Sequence, residues 1–129
     1  MFKILVCGSR TARDYEYVKE LLFDLTKVFA EDDSPLIIVG GAAGVDSFAE
    51  KAAIDLGINY VVYPADWTRY GNAAGPIRNQ EMLDKEDPNL VVAIWDGESR
   101  GTLDMIKKSI KYGVDVVVYP LNKKEINNA

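Results

Sequence analysis

The sequence predicts an α/β fold, an open parallel sheet of five strands with helices on both faces. Three observations predict it. Apolar runs of strand length occur five times, stretches of helical periodicity separate them, and the runs are continuous rather than alternating, as in strands covered on both sides. Strand and helix alternating through short links build parallel strands with right-handed crossovers, and the expected strand order is Rossmann-like, 3-2-1-4-5.

Taken in order, the first strand is Ile4-Leu5-Val6-Cys7, followed by a helix with Val18, Leu21, Leu22, Leu25, Val28 and Phe29 on one face. Pro35 precedes the second strand, Leu36-Ile37-Ile38-Val39. The second helix carries Phe48, Ala49, Ala52, Ala53 and Leu56, and Gly57 follows it where a left-handed residue is useful. Tyr60-Val61-Val62-Tyr63 forms the third strand, closed by Pro64. The longest link, from Pro64 to Pro76, reads as a loop. A third helix is expected from Pro76 to about Lys85, with Pro76 at its first position and a poor stripe of Ile77, Met82 and Leu83. The fourth strand, Leu90-Val91-Val92-Ala93-Ile94, follows Pro88. The fourth helix has Leu103, Ile106 and Ile110 as a narrow stripe and Gly113 after it. Val114 to Tyr119 forms the fifth strand, closed by Pro120. The expected organisation is one domain over residues 1–121, with a frayed polar tail at 122–129.

Composition removes whole chemistries. The chain of 129 residues has no histidine, one cysteine and a formal net charge of −5. A Ser-His-Asp triad, a Cys-His pair and an HExxH zinc site are excluded, as are an internal disulfide and a cysteine-rich metal site. Any acid or base is a carboxylate, a Tyr, a Lys, a ligand group or a metal-bound water. No apolar run reaches membrane-span length, and a cytoplasmic protein is expected. The acidic balance argues against a general nucleic-acid partner, whose affinity depends on clustered positive charge.

Special residues gather at one edge. The strand-to-helix links of such a sheet open on its ligand-binding side. Gly8, Gly40, Gly41, Gly44, Gly71, Gly75, Gly97 and Gly101 fall there, and so do all five arginines, Arg10, Arg13, Arg69, Arg78 and Arg100. Guanidinium is a planar fork suited to phosphate or carboxylate, so an acidic protein is expected to carry one basic, glycine-lined rim. In Gly40-Gly41-Ala42-Ala43-Gly44-Val45-Asp46, small residues before a helix let backbone N–H groups approach an anion. Asp46 there either caps the helix or binds ribose hydroxyls. In Gly97-Glu98-Ser99-Arg100-Gly101-Thr102, hydroxyls, a guanidinium and a glycine suit a phosphate, while Ser99 or Thr102 could equally cap the next helix. Gly8-Ser9-Arg10 reaches the same crevice from the central strand. Trp67 either stacks on a base or packs its loop onto the domain or a neighbouring subunit. Arg78 and Glu81 open the third helix, with a solvated face as the plain reading of Glu81. Cys7 is expected in the core.

The stretches ILVCGSR, VGGAAGVDSFAEKAA, PADWTRYGNAAGPIRNQEM and SRGTLDMI, spread from about residue 3 to 110, resemble the SLOG superfamily, most closely its YspA/YpsA-related branch. The resemblance implies a Rossmann-like fold, a nucleotide or nucleotide-derived ligand and frequent self-association into a homo-oligomer. Two relatives suggest activities. The cytokinin-activating phosphoribohydrolases carry Arg-Lys-x-x-Met, similar to Arg78-Asn79-Gln80-Glu81-Met82, and PGGxGTxxE, similar to Ser99-Arg100-Gly101-Thr102. Their catalytic Glu falls on Met105 here, and Asp104, one residue earlier, is rotated by about 100° on a helix. DprA, which binds single-stranded DNA, has a glycine loop that GGAAGVD resembles.

The leading expectation is a sensor or sequestering protein for a nucleotide-type ligand. Gly41, Gly44, Ser99, Gly101 and Thr102 cradle phosphate in that reading, Arg10, Arg78 and Arg100 neutralise it, Asp46 holds ribose and Trp67 stacks on the base. No cofactor is required, although a divalent metal could accompany the ligand's phosphates. The alternatives are nucleoside-monophosphate N-glycosidic hydrolysis, with Arg78, Asp104 and Glu81 as catalytic candidates and Asp46 and Asp66 as further carboxylates, and single-stranded DNA binding.

Overall fold

The computed structural model describes residues 1–29 and 34–122, apart from the Phe29 side chain. The expected place of Phe29 in the first helical stripe and the tail from 123 onward lie outside the described residues. Five strands, β1 (Phe2–Gly8), β2 (Pro35–Val39), β3 (Asn59–Val62), β4 (Leu90–Ile94) and β5 (Asp115–Tyr119), pair in the order β3-β2-β1-β4-β5. Every pairing is parallel, with Leu5 opposite both Ile38 and Val91 and Ile94 opposite Tyr119.

Side-chain alternation along the strands divides the core into two layers. Ile4, Val6, Ile37, Val39, Val92 and Ile94 face the helices α1 (Tyr15–Phe29) and α2 (Val45–Leu56). Leu5, Cys7, Ile38, Val91 and Ala93 face the opposite side, where Met82 and Leu83 of α4 (Ala74–Glu86) and Met105 and Ile106 of α5 (Arg100–Tyr112) close over them. Cys7 is thus a core residue, as expected. Gly57 and Gly113 end α2 and α5 in the left-handed conformation.

Several local expectations need correction. Only the central strands are sealed on both faces; Tyr60 of β3 and Val117 and Val118 of β5 are exposed because these strands form the sheet edges. Val28, Ile77 and Ile110, expected in helical stripes, point outward, and the buried face of α5 is Thr102, Met105, Ile106 and Ser109. The link after β3 is not all loop. It contains the short helix α3 (Trp67–Tyr70) and a 3₁₀ turn at Gly71–Ala73, started by the Asp66 carboxylate accepting the Arg69 N–H at 3.1 Å. Pro76 is the third residue of α4 rather than its first; it still lies in the first turn, whose N–H groups need no helical acceptor. Among the described residues, no helix is long and apolar enough to cross a membrane.

Candidate functional site

The loops after β1, β2, β3 and β4 enclose a cleft of about 420 Å³ at the carboxyl edge of the sheet. Cys7, Gly8 and Met82 form part of its lining, with Asp46 at the start of α2. Burial raises the pKa of the Cys7 thiol, and the Asp46 charge adds to that, so the sulfur is a neutral wall group.

The glycine loop before α2 is occupied by its own side chain. Asp46 is buried, and its carboxylate accepts the Ala42 N–H at 3.1 Å and a further hydrogen bond from the Gly40 backbone. The capping expectation for Asp46 is corrected: Gly44 is the N-cap, and Asp46, second in the helix, reaches back over the loop. Burial pushes its pKa up to about 6, against the opposing pull of those N–H groups and of Arg78 and Arg10. Gly44 has φ +76, and a methyl group there would meet the Ser9 carbonyl at 2.4 Å and the Arg10 backbone at 2.6 Å. The donors of Gly40 and Ala42 are therefore turned to an internal anion.

Ser9 does not face the cleft. It is fully buried, its carbonyl accepts from Val45 at 3.2 Å and Ala12 at 3.4 Å, and its hydroxyl accepts the Asp96 N–H at 3.0 Å. Asp96 in turn accepts the N–H groups of Glu98 and Ser99, each at 2.8 Å, and these bonds hold its pKa below the usual carboxylate range. The result is a fixed turn that presents the start of α5. Ser99 occupies the N-cap position, yet among the described residues no side-chain hydrogen bond caps that helix; the Ser99 and Thr102 hydroxyls bond each other at 3.1 Å. Ser99, Arg100, Gly101 and Thr102 all line the cleft at this end. A helix start with uncapped N–H groups and adjacent hydroxyls attracts anions.

Arg78 and Asp104 also line the cleft, but both are engaged. Arg78 Nη1 donates to the carbonyls of Gly40 and, at 3.4 Å, Tyr63, while its Nε donates to Asn79 Oδ1 at 3.1 Å. Asp104 is held by Lys108 Nζ, 2.7 Å from each oxygen, and by Asn79 Nδ2 at 2.9 Å. Glu81 lies outside the cleft and pairs with Lys85 at 3.1 Å. The exposed guanidinium groups of the cleft are Arg10 and Arg100. Arg13 and Arg69 are absent from its lining, and Arg69 instead lies 5.0 Å from the Tyr70 ring.

Trp67 and Arg10 mark a partition. The Arg10 guanidinium carbon lies 5.7 Å from the Trp67 ring centroid, and both residues, with Arg78, also border a second hollow of about 320 Å³ formed by Gly40–Ala43 and Pro64–Ala65. Of its two expected roles, Trp67 shows the packing one. Its ring rests against Gly75, where a Cβ would come within 3.3 Å of Cη2, and 48% of the residue remains exposed.

Gly8, Arg10, Asp46, Trp67, Arg78, Ser99, Arg100, Gly101, Thr102 and Asp104 thus come together, Gly40 and Gly41 border the second hollow, and Ser9, Gly44 and Glu81 stand outside both. Asn79 and Asn72 line the cleft without having been singled out in the sequence. Asn79 follows Arg78 directly, but its burial depends on partners more than 20 positions away, so no local signal announces it.

A parallel 3-2-1-4-5 sheet with helices on both faces and a glycine-lined crevice at its carboxyl edge makes this a Rossmann-like protein. The profile described as the YspA, cpYpsA-related SLOG family, YAcAr, matches residues 2–70, more than half of the sequence. The chain belongs to this family. It is 30% identical over 122 residues to the gene 61 protein of Mycobacterium phage D29, an alignment covering 91% of this chain and 95% of the phage protein. Among solved structures, DNA processing protein A (DprA) from Streptococcus pneumoniae superposes with a TM-score of 0.70 at 21% identity, over 92% of this chain and 50% of DprA. The chain therefore spans half the length of that protein. TM1055 superposes with a TM-score of 0.64 at 20% identity, over 90% of this chain and 72% of its own. Both likenesses establish the fold.

Proposed function

We propose that the protein binds a nucleotide or nucleotide-derived ligand at the carboxyl edge of its sheet, as a sensor or sequestering protein. One observation carries the reading: an uncapped helix start, two exposed arginines and an exposed indole converge on a single cleft of about 420 Å³. That volume lies within the range of small-ligand pockets. The ligand's phosphate sits at Ser99, Gly101 and Thr102 with Arg100 and Arg10 neutralising it, and the base lies against Trp67. Asp46, whose carboxylate already takes the loop donors, faces ribose hydroxyls rather than phosphate. Gly41 and Gly44 then shape the loop instead of cradling the anion. Among the described residues no group of three or more acidic or cysteine side chains is placed to hold a metal, so a divalent ion would enter with the ligand's phosphates as its principal ligands. Calorimetric titration against nucleotides, cyclic dinucleotides and ADP-ribose derivatives tests this. Binding of one class in the micromolar range is expected; silence across the panel at millimolar ligand overturns it.

Asp46 supports a second reading, N-glycosidic hydrolysis. Of the carboxylates considered, Asp104 is locked to Lys108, Glu81 lies outside the cleft and Asp66 caps α3, whereas Asp46 lines the cleft with a pKa raised to about 6. A group titrating there can accept and return a proton near neutral pH. Free base released from a bound nucleoside monophosphate, and lost in Asp46→Asn, would select this reading; binding without release selects the sensor. Single-stranded DNA binding has as its support the likeness of the fold and of the GGAAGVD loop to DprA, and the net charge of −5 opposes it.

A further inference from the structure

Arg10 and Arg78 line the same cleft in different ways. Arg78 is fixed by two backbone carbonyls and Asn79. Arg10 is exposed, and among the described residues no hydrogen bond or ion pair holds its guanidinium; its partner is the Trp67 ring, 5.7 Å away. Gly75 packs against the outer edge of the indole, and Arg10 lies over the ring, where a stacking base would have to share or displace it. It also stands between the main cleft and the hollow bordered by Gly41 and Pro64. An exposed cation–π contact is weak, whereas a guanidinium bond to phosphate is charge-assisted and stronger.

We propose that Arg10 is a specificity gate: it covers Trp67 in the empty protein, and a phosphate bound at the start of α5 draws it away so that the base of the same ligand stacks on Trp67 and the two hollows join. The inference rests on the nucleotide reading of the cleft and adds a rule to it. Phosphorylated nucleosides open the gate, and nucleosides without phosphate meet it closed. Phosphate and base then bind with positive coupling through one side chain.

The test compares wild type with Arg10→Ala, using the four common ribonucleoside 5′-monophosphates and the matching nucleosides in calorimetric titrations. The Trp67 indole N–H resonance, assigned with Trp67→Phe, is followed during titration with inorganic phosphate alone. Removing Arg10 is expected to weaken the monophosphate by about tenfold or more and to tighten the nucleoside by about two- to fivefold. Opposite signs are the signature, because a residue that only contacts phosphate leaves the nucleoside unchanged. Nucleoside affinity unchanged or weakened in Arg10→Ala overturns the gate and leaves the nucleotide reading standing. If no monophosphate binds, phosphate alone decides the gate: a Trp67 resonance that phosphate shifts in wild type and not in Arg10→Ala upholds it, and a resonance that phosphate leaves in place overturns it, while the nucleotide reading itself fails only with silence across the wider panel.

Discussion

Asn79 Nδ2 of α4 donates to Asp104 Oδ2 of α5 at 2.9 Å, and the same amide accepts from Arg78 Nε through its oxygen at 3.1 Å. One buried amide therefore joins two adjacent helices at the cleft and aligns an arginine with a carboxylate. Asn79→Ala leaves the Arg78 Nε without this acceptor and Asp104 without one donor. Urea unfolding should show a loss of about 1–3 kcal/mol, the cost of removing one hydrogen-bond partner from partly buried charged groups. A change below about 0.5 kcal/mol would mean that solvent replaces the amide in both bonds.

Asp46 makes stability depend on pH in the direction opposite to most carboxylates. Its native pKa, about 6, lies above the ordinary 3.8, with Arg78, Arg10 and Cys7 as its charged or titratable neighbours. Between these values the native state binds more protons than the unfolded one. Stability from this group therefore falls as pH rises from about 4 to about 6, and the penalty is complete above that window. Asp46→Asn should remove it, gaining on the order of 2 kcal/mol relative to wild type at pH 7 and nothing at pH 3. Denaturation curves of both proteins at several pH values give the difference, and a difference independent of pH would refute the assignment.

Two glycines with positive φ should respond differently. Gly44 has φ +76 and ψ −125, a region essentially confined to glycine, and no room for a methyl group, while Gly57 has φ +69 and ψ 32, left-handed helical, with open space around it. Gly57→Ala should cost about 1 kcal/mol, the strain of a left-handed residue alone. Gly44→Ala adds overlap with the Ser9 and Arg10 backbone, and should cost more than about 3 kcal/mol or prevent folding. Thermal melts of the two variants side by side check the ordering.

Met105 is fully buried between α5 and the sheet, at the position where hydrolytic relatives of the superfamily are expected to carry glutamate. Introducing that residue should add no hydrolysis. Met105→Glu places a carboxylate among Leu5, Met82 and Leu83, and should cost about 3 kcal/mol or more, with no gain over wild type in free base released from nucleoside monophosphates. Met105→Leu, similar in volume, should stay within about 1.5 kcal/mol of wild type. A folded, base-releasing Met105→Glu would show that this pocket accepts the relatives' chemistry.

Most of the fold is legible in the sequence because β2, β4 and β1 beyond Lys3 are continuous apolar runs and most of their links are short. The difficulties come where burial is decided by neighbours. Val117 and Val118 read as core and are exposed because β5 is the edge strand among the described residues; Ile110 reads as core because helical spacing cannot say how far the sheet extends. The arginine and glycine rim is visible as composition, yet the roles within it are not. Arg10 and Arg78 look alike in sequence, and only the positions of Gly40, Tyr63 and Asn79 distinguish the fixed guanidinium from the open one. The helix start at Trp67 was legible, since Asp66 stands three residues before Arg69 as an N-cap should, but the small residues around it favour a loop reading.

Ser9, at the junction of β1, α2 and the turn after β4, has a consequence for how the protein breathes. Its carbonyl and hydroxyl receive the amides of Val45, Ala12 and Asp96, so the crevice walls built from three distant stretches share one residue as their anchor. Loops tethered in this way cannot loosen one at a time. Hydrogen exchange at those amides should report a single opening event with a common free energy, higher than that of the exposed segment around Trp67. Ligand traffic would then pass by motion of the Trp67 side of the crevice while the floor stays closed.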